Sequence, residues 1–177
     1  KYKANIILVK PSSDDLDYRK FTADLLNRKV KNVIIVGGEN SVPASVEKQL
    51  KDKFGVVVVR LAGLDRTTTS LAVAKNIKDA GHNETKVFFV GANGAADAMS
   101  VSAVAAKVNA GKVSPILVMK KDGFDRSTRE LINGLNVNTA YIVGGSDSVS
   151  SLGYKAVKSV PGVATLSRLS GADRYAT

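Results

Sequence analysis

The 177-residue sequence contains no cysteine, no tryptophan and a single histidine. Without cysteine there are no disulfide bonds, no thiol nucleophile and no Cys-ligated metal. Aromatic residues make up 6% of the chain, fewer than a stacking surface for single-stranded nucleic acid requires. No apolar run approaches the roughly 18 residues of a membrane-spanning helix. The composition therefore predicts neither nucleic acid nor a membrane as the partner.

Patterns that would support catalysis are also missing. His82 stands alone, so the sequence offers no paired-histidine metal spacing and no visible partner for a catalytic triad. Asp97 falls in the first turn of a predicted helix, where the helix dipole favours a carboxylate without any chemistry. We predict that the chain is not an enzyme and holds neither a metal nor a cofactor.

What the sequence does have is positive charge. The 26 Lys and Arg residues exceed the 16 Asp and Glu residues, which gives a net charge of +10. Such a protein attracts polyanions, which include nucleic acid, anionic lipid and anionic polysaccharide. The alternative is a solvated basic surface with no dedicated partner. Because the sequence begins at Lys1, we expect the mature part of a processed precursor or a piece of a longer chain.

Three blocks of the sequence recur in the same order. A Val-Gly-Gly-x-x-Ser-Val block at 36–42 returns at 143–149, 107 positions later. Ile7, Leu8 and Val9 have counterparts 109 positions later; these are Ile116, Leu117 and Val118. An Arg-Leu-x-Gly-x-Asp-Arg motif returns after 108 positions; its members are Arg60, Gly63, Asp65 and Arg66 in the first copy and Arg168, Gly171, Asp173 and Arg174 in the second.

A period of this length is too long for a solenoid unit of about 20–50 residues, so each repeat is the size of a domain. We predict three segments: residues 1–59 are the C-terminal half of one repeat, residues 60–167 are a complete repeat, and residues 168–177 are the truncated start of the next. The repeat-boundary motif marks where one repeat becomes the next.

Short β-branched runs alternate with longer helical patterns. The predicted strands are 5–9, 33–36, 56–59, 87–90, 116–119, 141–143 and 163–166, most of them continuously apolar as in buried parallel strands. Residues 95–108 and a stripe through Leu71, Ala74 and Ile77 predict helices, and Pro43 suits a helix start. This alternation predicts an α/β fold with a doubly wound parallel sheet.

Glycine-bearing turns follow three of the predicted strands, at 36–38, 90–94 and 143–145. One interpretation is a phosphate or nucleotide site at the N-termini of the following helices. The other is a tight turn that needs a positive φ or a close approach. Because no turn has the spacing of a dinucleotide-binding or P-loop motif, we favour the second.

The Asp-Arg pairs at 65–66 and 173–174 also allow two interpretations. Asp caps a following helix, and the planar Arg side chain binds carboxylates or phosphates. The pairs either contact an anionic polymer or join neighbouring repeats at their boundary, and we favour the second.

Three features carry a family resemblance: the Arg-Leu-x-Gly-x-Asp-Arg motif, the Val-Gly-Gly-x-x-Ser-Val blocks and Ala-Asp-Ala-Met-Ser at 96–100. In these the sequence resembles the cell wall binding repeat 2 family of clostridial surface-layer and cell-wall proteins. It departs from the family pattern at Leu64 and at Thr67-Thr68. The resemblance implies Rossmann-like repeats in tandem, three of which pack into a pseudo-trimeric module. It also implies a secreted Gram-positive protein of the cell surface whose module binds an anionic cell-wall polysaccharide without a covalent link.

In this family an Ile-Leu-Leu segment is associated with polymer binding, and it maps onto Ile116-Leu117-Val118 and, more loosely, onto Ile7-Leu8-Val9. An apolar buried strand cannot itself attract a polyanion. Our hypothesis is that both segments position nearby basic residues, namely Lys120, Lys121 and Lys10.

Three other functions remain as alternatives. The repeats could brace a surface lattice through contacts with neighbouring repeats and other surface-layer subunits, without binding the polymer. They could anchor a wall amidase whose catalytic domain lies outside this chain. A nucleotide-using enzyme on a Rossmann-like sheet is the third, since fold alone does not set function.

Overall fold

The structure, a computed structural model, describes residues 6–9, 29–81, 85–107 and 113–171. Lys10, His82, Asp173 and Arg174 lie outside the described residues. The chain forms two compact units, residues 1–62 and 63–177. In the described ranges, every helix is too short or too polar to cross a membrane.

The second unit is a four-stranded parallel sheet with helices on both faces, in the strand order β4-β3-β5-β6. Its strands are β3 (Lys86–Gly91), β4 (Ile116–Met119), β5 (Thr139–Val143) and β6 (Thr165–Leu169). Its helices are α2 (Arg66–Asp79), α3 (Ala95–Ala105), α4 (Arg126–Asn133) and α5 (Ser151–Lys158). The predicted α/β class with parallel sheets is confirmed.

The central strand β3 builds a core on each face of this sheet. Val87 and Phe89 point to the face covered by α2, α4 and α5. Phe88 and Val90 point to the other face, where α3 packs against them. All four side chains are buried, and fully burying one such side chain contributes about 1.5–3 kcal/mol. This two-sided burial explains the continuous apolar run in the sequence.

The first unit contains β1 (Asn32–Val36), α1 (Ala44–Phe54) and β2 (Val57–Leu61), and its two strands are parallel. Helix α1 begins directly after Pro43 and covers one face of the pair through Val46 and Leu50. The other face is exposed: Val36 is 56% exposed, whereas its counterpart in the second unit, Val143, is 3% exposed. Helix α3 covers Val143, and among the described residues of the first unit no helix takes that place.

Two strand predictions were wrong. No strand occurs in the described residues 6–9 of the predicted strand 5–9, and Leu8 is 92% exposed. The equivalent strand β4 pairs with β3 in the second unit, and no strand in the described part of the first unit pairs with residues 6–9. The predicted strand 163–166 lies instead at 165–169, because Gly162 (φ 90°) lies in a turn that the Val163 N–H closes on the carbonyl oxygen of Val160 at 3.2 Å.

Candidate functional site

The carboxyl ends of β3 and β5 meet at the point where the strand order reverses, which is where open α/β sheets bind ligands. The glycine turns lie there. Gly144 has φ 110°, and its counterpart Gly37 in the first unit has φ 124°, both in the region that favours glycine. Gly91 is needed for a different reason: a Cβ atom there would lie 2.5 Å from the carbonyl oxygen of Ser148. Turn geometry therefore accounts for these glycines.

Side chains of the protein itself occupy this crevice. The Ser148 hydroxyl donates to Oδ2 of Asp97 at 3.3 Å. A Cβ atom at Gly144 would lie 2.4 Å from the same oxygen, and one at Gly94 would lie 2.8 Å from it. The Asp97 carboxylate therefore lies against the backbone of both glycine turns, where it would repel a phosphate. The arrangement does not suit a nucleotide.

Arginine side chains clamp the glycine turns in both units. Arg168 donates from Nη1 to the carbonyl oxygens of Gly144 and Gly145, at 2.7 and 3.0 Å, and from Nη2 to that of Val149 at 2.8 Å. From the sequence we expected Arg168 at a repeat boundary and did not expect this clamp. The signal that could have revealed it is the nearly constant spacing between the two recurring motifs.

Arg60 holds the glycine turn of the first unit in the same way. Its Nη1 donates to the carbonyl oxygens of Gly37 and Val42, both at 2.9 Å, and its Nε donates to Oε2 of Glu47 at 2.8 Å. The pKa of Glu47 is lowered by its hydrogen bonds, first from Lys51 and then from Arg60. The first Arg of the repeat-boundary motif is thus part of the fold of each unit.

The remaining residues of the first motif also make local contacts. Asp65 caps α2: its side chain accepts from the backbone N–H of Thr68 at 2.8 Å, and the Thr68 hydroxyl accepts from the Asp65 N–H at 3.0 Å. Arg66 donates to the carbonyl oxygen of Ala92 at 2.6 Å. A Cβ atom at Gly63 would lie 2.3 Å from the Thr68 hydroxyl. The capping role of Asp65 was expected; the contact of Arg66 with the turn after β3 was not. In the second motif, Gly171 ends the described range.

The predicted polymer-binding segments have different environments. Ile116, Leu117 and Val118 lie in β4, with Leu117 in the core, and the Val118 N–H donates to the Ser70 hydroxyl at 3.0 Å. Ile7 and Val9 pack on the core of the first unit, while Leu8 is exposed. The first segment is the buried strand that we expected, and the second is not.

Strand β4 leads directly into a basic turn that another helix holds in place. The Gly123 N–H donates to the carbonyl oxygen of Lys120 at 3.1 Å, and the Ser150 N–H donates to that of Lys121 at 2.9 Å. The Ser150 hydroxyl, which also caps α5, donates to Asp122 at 2.6 Å. Both lysine side chains are exposed. They border an open depression of about 470 Å³ that is lined by residues 120–124.

Carboxylates beside this turn are held in their charged form. The backbone N–H of Thr128 and the hydroxyl of Ser127 lower the pKa of Asp125 to about 2, and the charge of Lys120 contributes less. The pKa of Asp65 is lowered mainly by its bonds with Thr68, again with a smaller effect of Lys120. The charge of Lys120 therefore helps to lower the pKa values of two carboxylates, Asp65 and Asp125. No group of three or more metal-ligating side chains occurs in the described parts of the chain.

Comparison with known proteins places these motifs in a family. Residues 60–152 match the model of Cell wall binding domain 2. The chain is 32% identical over 98% of its length to the N-acetylmuramoyl-L-alanine amidase LytC of Bacillus subtilis (strain 168), of which it spans 32%. It is similar to the solved structures of Cwp6 and Cwp8 from Clostridium difficile, with TM-scores of 0.80 and 0.75 and identities of 29% and 36%.

Both structural comparisons cover 92% of this chain, but only 25% of Cwp6 and 26% of Cwp8. The chain thus spans about a quarter to a third of the proteins it matches. The family match begins at Arg60, the first residue of one recurring motif, and continues beyond the glycine turn at 143–149, so it includes one copy of each of these two motifs. This chain belongs to the Cell wall binding domain 2 family.

Proposed function

We propose that this chain is a non-catalytic anchoring module that binds an anionic cell-wall polysaccharide and so retains a secreted surface-layer-type protein on a Gram-positive wall. Membership in a cell wall binding family is the observation that carries the proposal. The net charge of +10 gives the physical reason for an anionic polymer, because a basic surface attracts polyanions over several ångströms of solvent.

The crevice between β3 and β5 supports binding without catalysis. Asp97 and Ser148 fill the place where a doubly wound sheet would accept a nucleotide. The relative LytC is an amidase, but this chain spans 32% of it. The same module with a wall hydrolase attached is therefore a second candidate, in which wall binding is unchanged and only the attached domain differs.

We further propose that the basic turn after β4 contacts the polymer. Leu117 fixes β4 in the core, and Ser150 holds the turn, so Lys120 and Lys121 are presented from a rigid support beside the open depression. In this view Ile116-Leu117-Val118 acts by positioning and not by contact. Lys10 would serve the same purpose after Ile7-Leu8-Val9.

Sedimentation with purified Clostridium difficile walls tests the function. We expect the chain to sediment with intact walls, to be lost from walls whose anionic polymer has been extracted with acid, and to bind less as salt rises. Equal binding to extracted walls would instead support contacts within a surface lattice. A nucleotide released on denaturation of the purified protein would support the alternative of a nucleotide-using enzyme.

The turn is tested by K120Q/K121Q in the same assay, with K48Q/K51Q as a control that also removes two lysines. Lys51 and Lys48 are each bonded to a carboxylate of their own helix, Glu47 and Asp52. We expect the first variant to bind more weakly and with a flatter salt dependence than the control. Equal binding by both variants would remove the turn from the proposal and leave the anchoring function intact.

A further inference from the structure

The charges of the second unit are unevenly distributed. At the carboxyl ends of the strands and the N-terminal ends of the helices, five bases face five acids: Arg66, Lys120, Lys121, Arg126 and Arg168 against Asp65, Asp97, Asp122, Asp125 and Asp147. The rest of the described second unit has seven bases and two acids: Lys75, Lys78, Lys86, Lys107, Arg129, Lys155 and Lys158 against Asp79 and Glu130. The excess positive charge of the described second unit therefore lies away from the crevice between β3 and β5.

Five of these seven bases lie on three neighbouring helices, α2, α4 and α5. The Lys78 ammonium donates to the carbonyl oxygen of Gly134, at the end of α4. From α4, Arg129 donates to the hydroxyl of Ser159, at the end of α5, at 2.7 Å. These bonds link the C-terminal parts of α2, α4 and α5 into one surface.

Three lysines on this surface belong to none of the ion pairs of the described residues. Lys75, Lys155 and Lys158 are exposed, and none forms an ion pair with a carboxylate in the described ranges. We call Lys75, Lys155 and Lys158, together with Arg129, the helix-end cations.

The internal repeat provides a direct comparison for two of these lysines. At an offset of 107, Lys155 and Lys158 correspond to Lys48 and Lys51 of α1. In the first unit both lysines are bonded within the helix, Lys51 to Glu47 at 2.7 Å and Lys48 to Asp52. The positions of those two carboxylates are taken by Tyr154 and Ser159 in the second unit. The cations recur and their partners do not.

Helix stability accounts for part of this pattern only. A lysine in the last turn interacts favourably with the helix dipole. Lys51, Lys155 and Lys158 lie in the last turn of their helices, whereas Lys48 does not. The dipole favours a lysine at such a position whether or not a carboxylate pairs with it, so it does not explain why both lysines are paired in one copy and unpaired in the other. An external anion does explain it.

We propose that the helix-end cations form a contact surface for the anionic wall polysaccharide, distinct from the basic turn at Lys120 and Lys121. This inference rests on the proposed function and adds a second surface to it. A polymer with repeating negative charge can contact several separated cations at once, and weak contacts then add through avidity. Arg129, fixed by Ser159 and by its position 5.3 Å from the Phe124 ring, holds one cation rigidly in this surface.

The two copies supply a matched pair of variants for the full chain, K155Q/K158Q and K48Q/K51Q, which remove two charges each from equivalent positions. In sedimentation with intact Clostridium difficile walls at low salt, we expect K155Q/K158Q to bind about tenfold more weakly and with a flatter salt dependence. The control should stay within about twofold of the unmodified chain, because its lysines are already paired. Thermal unfolding checks that both variants fold.

Equal binding by the two variants, or no change in K155Q/K158Q, would overturn the inference. So would a loss by K155Q/K158Q of binding to duplex DNA with wall binding unchanged, since the surface would then serve a nucleic acid. Failure of the proposed function has a different signature, because the unmodified chain would then bind acid-extracted walls as well as intact ones.

Discussion

Arg168 donates from Nη1 to the carbonyl oxygen of Gly144 at 2.7 Å, and Arg60 makes the equivalent bond to Gly37 at 2.9 Å. The Arg of one recurring motif thus holds the glycine turn of the other in both units. A positive φ leaves the turn carbonyls without a regular secondary-structure partner, and the guanidinium supplies several donors in one plane. The two motifs recur together because each needs the other.

Arg168→Lys should therefore destabilise the fold. Lysine keeps the charge but cannot reproduce three directed bonds from a planar group, so we expect the free energy of unfolding to fall by about 2–4 kcal/mol. Urea unfolding of the full chain measures this. Arg126→Lys is the control, because Arg126 is exposed and pairs with Glu130 on its own helix, and it should change the free energy by less than about 0.5 kcal/mol. Similar values for both variants would contradict a structural clamp.

Gly144→Ala should be strongly destabilising, and Gly145→Ala should not. A Cβ atom at Gly144 would lie 2.4 Å from Asp97 Oδ2, and the backbone of Gly144 has φ 110°. At Gly145 no atom lies within 4 Å of the Cβ position, and φ is not in the positive region. We expect a loss of about 3 kcal/mol or more at Gly144 and less than about 1 kcal/mol at Gly145. Urea midpoints of the two variants decide this, and equal midpoints would mean that the turn is not tightly packed.

The sequence predicts the strands of this fold well where they are continuously apolar and poorly where they carry polar residues. Strand β3 was predicted to within a residue at each end, because Val87–Val90 is apolar on both faces. Strand β6 was shifted by two or three residues, because it carries Ser167 and Arg168 and so lacks the apolar run on which the prediction depended.

The site was predicted in part for a similar reason. A glycine with positive φ has a residue-type signature, so the turns at Gly37 and Gly144 could be recognised. A bond from an Arg side chain to a backbone carbonyl about 24 positions away has no such signature, since every residue has a carbonyl. The charge distribution was also hidden, because it depends on which helix ends become neighbours.

The carboxyl group of Asp125 should make stability depend on pH. Its pKa is about 2 in the folded protein against an ordinary value of 3.8. A carboxyl whose pKa is lowered by folding stabilises the fold above its ordinary pKa, and this contribution is lost as the pH falls towards the folded value. Asp125→Asn should thus be less stable than the unmodified chain at about pH 6, and the difference should shrink towards about pH 2.5.

Thermal midpoints across that range test the prediction, with Asp147→Asn as a control that removes an exposed carboxylate. The control should show no comparable change with pH relative to the unmodified chain. A difference between Asp125→Asn and the unmodified chain that stays constant from neutral to acidic pH would show that the bonds to Thr128 and Ser127 do not favour the charged form.

Hydrogen exchange should distinguish the two sheets at equivalent positions. Ile35 in β1 and Ile142 in β5 are both buried and are 107 positions apart. Strand β5 lies between β3 and β6, whereas β1 pairs only with β2 in the described part of the first unit. A two-stranded sheet is marginally stable in water, so the amides of β1 should exchange roughly tenfold faster or more than those of β5.

Mass spectrometry of peptides that cover 32–36 and 139–143 measures this difference. The comparison is internal, because both peptides come from one chain under one condition and their strands occupy the same place in the repeat. Equal protection would mean that the exposed face of Val36 and its neighbours is covered in solution. Slow exchange of β5 together with fast exchange of β1 would show that a strand and a covering helix, as β3 and α3 provide around Val143, are what give this repeat its stability.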